Sequence, residues 1–146
     1  MRWQMTSRHK HNAIDFELVD FSAVETCVAT IFQHVPHKCW SSIERDAVEI
    51  VLTEILNNIV EHGGHAARSA PVRISWNLSA VLEFEILDYG KAFPADECPQ
   101  GAMPDPMNLP EGGFGWGLIH LLTDDLSYER VNQKNILRFT FKAHEK

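Results

Sequence analysis

The apolar residues of this 146-residue chain change their period several times, and the order of those periods limits its possible folds more than any other feature. "AIDFELVD", Ala13 to Asp20, roughly alternates and reads as a strand. Asp20 then stands as N-cap of a helix through "FSAVETCVATIFQHV", ended by Pro36. A second helix opens at "SSIERDAVEIVLTEILNNIVEHGG", where Ser41 and Glu44 have capping-box spacing and Gly63-Gly64 supplies the stop. "PVRISWNLS" and "AVLEFEILD" read as two strands with a short turn, an antiparallel pair. From Tyr89 to Gly113 the composition shifts to Pro, Gly, Asp and Met, a stretch long enough to serve as a lid or binding segment. "GFGWGLIHLLTDD" opens with glycines and becomes a helix, and "LSYERV" and "NILRFTFK", joined by "NQKN", close the chain as a hairpin. The order β-α-α-β-β-lid-α-β-β predicts an α+β layout, with helices against a mostly antiparallel sheet.

At this length one domain over residues 1–146 is expected, with hydrophobic residues at 45% and charged residues at 23% as in ordinary globular proteins. The formal charge of −7 argues against a direct nucleic-acid binder, which carries a basic face. No apolar run reaches the ~18 residues of a membrane span, and "MRWQMTSRHKHN" lacks the apolar core of a signal peptide. Cys27, Cys39 and Cys98 stand at unrelated spacings that form no disulfide framework, so a reduced, cytoplasmic compartment is the default.

Three constellations carry possible chemistry. On the second helix Val48, Leu52, Ile55 and Ile59 form the core stripe, and Glu54, Asn58 and His62 follow at i, i+4, i+8 on its flank. An asparagine amide buried without a partner costs roughly 1–3 kcal/mol, so a metal or polar ligand at Asn58 has a reason to exist; a solvated helix flank is the plainer alternative. "ILDYGKAFP" ends a strand in Asp88 and turns at Gly90, placing one carboxylate at a sheet end, although Asp and Gly are common in any turn. In "EGGFGWGLIHLL", Gly113, Gly115 and Gly117 lead into a helix whose free N–H groups suit phosphate oxygens, or else simply hinge the lid. His34, His37 and Cys39, or His62 and His65, lack the four ligands at familiar spacing that a zinc site needs. Cys27, Phe21, Phe32, Leu52, Ile74, Phe84, Ile119 and Phe141 read as core.

Taken in order, E-x-x-x-N on a helix, a strand with D-x-G, a lid, and G-x-G-L opening a helix, the sequence resembles the GHKL (Bergerat-fold) ATP-binding superfamily. Within it the chain is most similar to the anti-sigma-factor serine kinases of bacterial partner-switching systems, over roughly Ala13 to Lys142. The resemblance implies a two-layer α/β sandwich, its mixed, mostly antiparallel sheet covered by helices on one face, with an ATP lid at about 89–113. It implies ATP and Mg²⁺ as cofactors, with Asn58 holding Mg²⁺ and Glu54 as general base. Asp88 would accept the adenine amino group, and Gly90 would let the base lie against the chain. Gly113, Gly115 and Gly117 would serve the phosphates, with Leu118 packing beneath them and His62 in support. Ala92 replaces the second glycine of D-x-G-x-G, and Trp116 stands where that branch commonly has Arg. The implied activity is serine/threonine phosphorylation of a small anti-anti-sigma (STAS-like) antagonist, together with sequestration of a sigma factor or other regulator; a homodimer is compatible with it. With no histidine-bearing helix pair before the domain and no second catalytic domain after it, neither a sensor kinase nor a gyrase-type motor is expected. A non-catalytic sequestration module is the alternative, favoured by Ala92 and Trp116.

Overall fold

The computed structural model describes residues 11–36, 38, 40, 43–64, 70–93, 98 and 115–143. Strand β1 (His11–Phe16) leads to helices α1 (Phe21–His34) and α2 (Arg45–His62). The hairpin β2 (Val72–Leu78) and β3 (Val81–Asp88) follows, then helix α3 (Gly115–Leu122) and the hairpin β4 (Asp125–Val131) and β5 (Lys134–Lys142). The strands form one sheet in the order β1-β2-β3-β5-β4. Each pairing is antiparallel, because β5 inserts between β3 and β4, the two strands that run the same way. The expected α+β order and helix-covered sheet are therefore present, with a sheet that is antiparallel at every described pairing.

Period-two burial makes the sheet one-sided. Ile74, Trp76, Phe84, Ile86, Leu137 and Phe139 are buried inward, against Val24, Cys27 and Ile31 of α1 and Val48, Leu52 and Ile55 of α2. At its centre Phe84 and Phe139, directly paired in register, stack with ring centroids 5.4 Å apart. The other face is polar: Arg138 on β5 bridges Glu85 of β3 at 2.9 Å and Glu129 of β4 at 3.3 Å. Asn132 and Gln133 turn the last hairpin at φ 50° and 66°, the left-handed pair that a two-residue turn between twisted strands requires. Among the described residues no helix is long and apolar enough to cross a membrane.

Local expectations met the structure unevenly. Asp20 caps α1, its carboxylate accepting the Ala23 N–H at 2.8 Å. The strand expected to run to Asp20 ends at Phe16, opposite Val72, where Pro71 closes off β2 and leaves nothing further to pair with. Helix α2 starts at Arg45 with Glu44 as N-cap and no side-chain capping bond, so the Ser41–Glu44 box is not its entry; Ser41 lies outside the described residues. Ile43 and Val48, the N′ and N4 positions, are instead both buried in the core, as in a hydrophobic staple. Phe21, read as core, is 54% exposed on the first turn of α1, one turn ahead of Val24 where burial begins. The lid stretch lies almost wholly outside the described residues, as do His37, Cys39, His65 and Gly113.

Candidate functional site

The apolar stripe of α2 sets the site, because burying Val48, Leu52, Ile55 and Ile59 fixes where the flanking row points. Glu54 and Asn58 are half-buried on that flank. His62, at the last turn, exposes 69% of its side chain and lies 3.5 Å from Glu61. Helix α3 meets this row at its first residue: a Cβ on Gly115 would stand 2.7 Å from Glu54 Oε2 and 3.6 Å from Asn58 Nδ2. The missing side chain is what allows the start of α3 to reach the acid and the amide. Among the described residues Asn58 Nδ2 is buried without a hydrogen-bond partner, as is Trp76 Nε1 in the core, but only Asn58 borders the cavity of the site. Gly117 is buried and Leu118 half-buried on the same helix.

The second half of the site is built at the exit of β3. Asp88 is the last residue of the strand, faces inward with Phe84 and Ile86, and is 4% exposed. Its Oδ1 accepts the Gly90 N–H at 2.7 Å and Asn135 Nδ2 at 3.1 Å. Gly90 packs against the end of α2: a Cβ there would meet Gly63 Cα at 2.8 Å and Gly63 O at 3.0 Å. Beside it the Lys91 N–H donates to Gly63 O at 3.0 Å. The cap of α2 and the turn after β3 thus hold each other, and Gly90 is required by space. Burial pushes the Asp88 carboxyl above its ordinary range, opposed by the Gly90 N–H, the Asn135 amide and the Arg130 charge.

Between these halves lies a cavity of about 390 Å³. Ile55, Ile59, Ile86, Leu137, Phe93 and Trp116 supply apolar walls, and Asn58, Asp88 and Asn135 bring polar groups. His62, Gly63, Lys91 and Ala92 complete the lining. Phe93 stacks on Tyr128 with centroids 4.1 Å apart and meets Trp116 edge-on at 5.3 Å. Of the residues singled out in the sequence, Asn58, Asp88, Ala92 and His62 line this one space. Glu54 and Gly115 stand beside Asn58, and Gly90 lies behind Asp88; Gly117 and Leu118 do not line the cavity.

Sequence reasoning missed Asn135, Tyr128 and Arg130. Asn135 is 2% exposed and pairs in register with Asp88 on one side and Arg130 on the other. One signal for it existed: it alternates with Leu137, Phe139 and Phe141, which makes it a polar residue on the buried face of a strand.

The model of the histidine kinase-like ATPase domain family matches residues 19–141. Among solved structures, the RsbU and RsbW domains of Rv1364c from Mycobacterium tuberculosis superpose with a TM-score of 0.60 at 12% identity. That match covers 93% of this chain and 33% of the other. The histidine kinase domain of the EL346 blue-light activated histidine kinase from Erythrobacter litoralis gives 0.51 at 16% identity, over 84% of this chain and 60% of that one. This chain therefore spans less than two thirds of either neighbour, and at these identities the likeness is one of fold. No curated protein matches in sequence. The family match spans the helical row, the β3 exit, the opening of α3 and the closing hairpin: the chain belongs to the histidine kinase-like ATPase domain family.

Proposed function

We propose that the protein is an ATP-dependent serine/threonine kinase of the anti-sigma type, which phosphorylates a small STAS-like antagonist and sequesters a sigma factor or other regulator. One observation carries the reading. A cavity of nucleoside size is lined by the buried Asp88 carboxylate and by the Asn58 amide of α2, and Glu54 and the glycine start of α3 stand next to that amide. The base would lie against Ile55, Ile86 and Leu137 with its exocyclic amine donating to Asp88, and the phosphates would run toward Asn58 and Gly115.

Magnesium fits the residues present. The Nδ2 atom of Asn58 is buried and unmet among the described residues, and turning the amide over presents its oxygen, a hard donor suited to that ion, with the Glu54 carboxylate one helical turn away. When bound, the ion would neutralise phosphate charge. The chain's own groups do the rest. Glu54 takes the proton of the attacking seryl hydroxyl as its oxygen bonds to the γ-phosphorus and ADP leaves, and the apolar walls keep water from competing.

A second reading, sequestration without transfer, is favoured by Trp116, which packs against Phe93 and lines the cavity where a cationic side chain is the common choice in this branch. Mg-ATP should raise the melting temperature, by mass action worth about 2.7 kcal/mol at a hundredfold excess over Kd. γ-Labelled ATP should then pass its label to a serine of a small STAS-like antagonist domain. Absence of calorimetric binding at millimolar nucleotide would sink the kinase reading; binding without transfer would leave the sequestration module.

A further inference from the structure

Asn135 occupies an unusual place, an amide at the middle of a three-strand row whose outer members are an acid and a base. Asp88 of β3, Asn135 of β5 and Arg130 of β4 are direct register partners across the sheet. The amide is used to capacity. Its Nδ2 donates to Asp88 Oδ1 at 3.1 Å and to the Lys91 carbonyl at 2.8 Å, with the Gly90 carbonyl farther off at 3.4 Å. Its Oδ1 accepts from the Tyr128 hydroxyl at 2.5 Å and from Arg130 Nη1 at 2.8 Å. A guanidinium can only donate, so Arg130 decides which end of the amide faces β4 and thereby turns Nδ2 toward Asp88. The same Nη1 donates to the Gly90 carbonyl at 2.8 Å, tying the turn after β3 to the edge strand.

The consequence falls on Asp88. Its Oδ1 holds two donors, Gly90 N–H and Asn135 Nδ2, while among the described residues no donor reaches Oδ2. An arginine bonded directly to Asp88 would compete with a ligand for the carboxylate. An amide placed between them carries the favourable charge inward and leaves one oxygen open.

We propose that Asn135, oriented by Arg130 and Tyr128, is a positioning residue that reserves Oδ2 of Asp88 for the exocyclic amine of the bound purine. The proposal rests on the nucleotide reading of the cavity, and its test separates the two. Calorimetry would compare Mg-ATP with the magnesium complex of purine riboside triphosphate, which lacks the 6-amino group. The wild-type chain should prefer ATP by about tenfold or more, as expected for a hydrogen bond to a charged group. In Asn135→Ala the carboxylate is free to rotate, and the two nucleotides should bind within about threefold of each other. A loss of packing alone would weaken both equally and keep the preference. Arg130→Met, a change on the half-buried edge strand, should lower the preference several-fold while Asn135 remains, and it carries the test if Asn135→Ala does not fold. A preference retained in the folded variants overturns the positioning role; wild-type protein that binds neither nucleotide overturns the reading of the cavity instead.

Discussion

Replacing Gly90 by alanine should cost stability, whereas the same change at Gly115 should spare the fold and damage chemistry. At Gly90 the new methyl would meet Gly63 Cα at 2.8 Å, Gly63 O at 3.0 Å and Asp88 Oδ1 at 2.9 Å. Two of those atoms are backbone at the cap of α2, so the strand exit has to move away from the helix. Overpacking of this kind costs about 1–3 kcal/mol. Separation also lengthens the Lys91 N–H to Gly63 O bond, now 3.0 Å, worth about 1 kcal/mol. Together about 2–4 kcal/mol is at stake, and an unfolding entropy of about 2.1 cal/mol/K per residue over this length turns that into a fall of roughly 6–13 °C in Tm. At Gly115 the methyl would meet only the end of a flexible side chain, Glu54 Oε2 at 2.7 Å, with Asn58 Nδ2 farther away at 3.6 Å. Glu54 can swing aside, and alanine is the better helix former. Tm should stay within about 2 °C of wild type, by the same conversion of a few tenths of a kcal/mol. The displaced carboxylate should nevertheless lower phosphotransfer by roughly tenfold or more. Differential scanning fluorimetry of both variants, with circular dichroism as a check on fold, decides the matter. A Gly90→Ala protein that melts with the wild type would refute the close approach of the β3 exit to the α2 cap.

Glu54→Gln keeps the shape of the acid but cannot accept a proton, so transfer should fall roughly 10²-fold with Mg-ATP affinity kept, while Asn58→Ala should weaken Mg²⁺-dependent binding itself; equal binding losses in the two would contradict separate roles. Nucleotide binding and apo stability should respond to acid with opposite signs through Asp88. Its folded pKa is raised by burial, so as pH falls through that value toward the ordinary one the native state takes up the proton first and Asp88 contributes stability, a contribution lost again as pH rises. The melting difference between wild type and Asp88→Asn should therefore shift in favour of wild type as pH falls through this window, while Mg-ATP titrations show affinity dropping as the acceptor protonates. A difference in Tm that is flat with pH would contradict the raised carboxyl.

How much of this was legible depended on how far apart in sequence the deciding groups lie. The helical row of Glu54 and Asn58 could be read because i, i+4 neighbours share a face whatever surrounds the helix. Asp20 was equally readable, since a cap acts on an N–H three residues ahead. The Ser41–Glu44 spacing had the same local form and failed, because burial of Ile43 in the approach to α2 placed the helix start at Arg45. Phe21 carried the right residue type in the right period, yet burial depends on what lies opposite, and on α1 it begins only at Val24.

The network behind Asp88 belongs to the other kind. Asn135 lies 47 positions from the carboxylate it holds, and it reaches Asp88 only because β5 inserts between β3 and β4 in one register. A slip of one residue would turn the amide to the outer face, where Arg138 and Glu85 now pair, and bring Lys134 or Ile136 opposite the carboxylate in its place. Nothing in "VNQKNILRFTF" states that register alone. It follows from Leu137, Phe139 and Phe141 all demanding burial, which leaves Asn135 no choice but to face inward with them. The hydrophobic pattern of β5 thus delivers a polar group to the site: the force that aligns the strand is the burial of its aromatic and aliphatic residues, and the amide that fixes the acid is carried into place by that alignment.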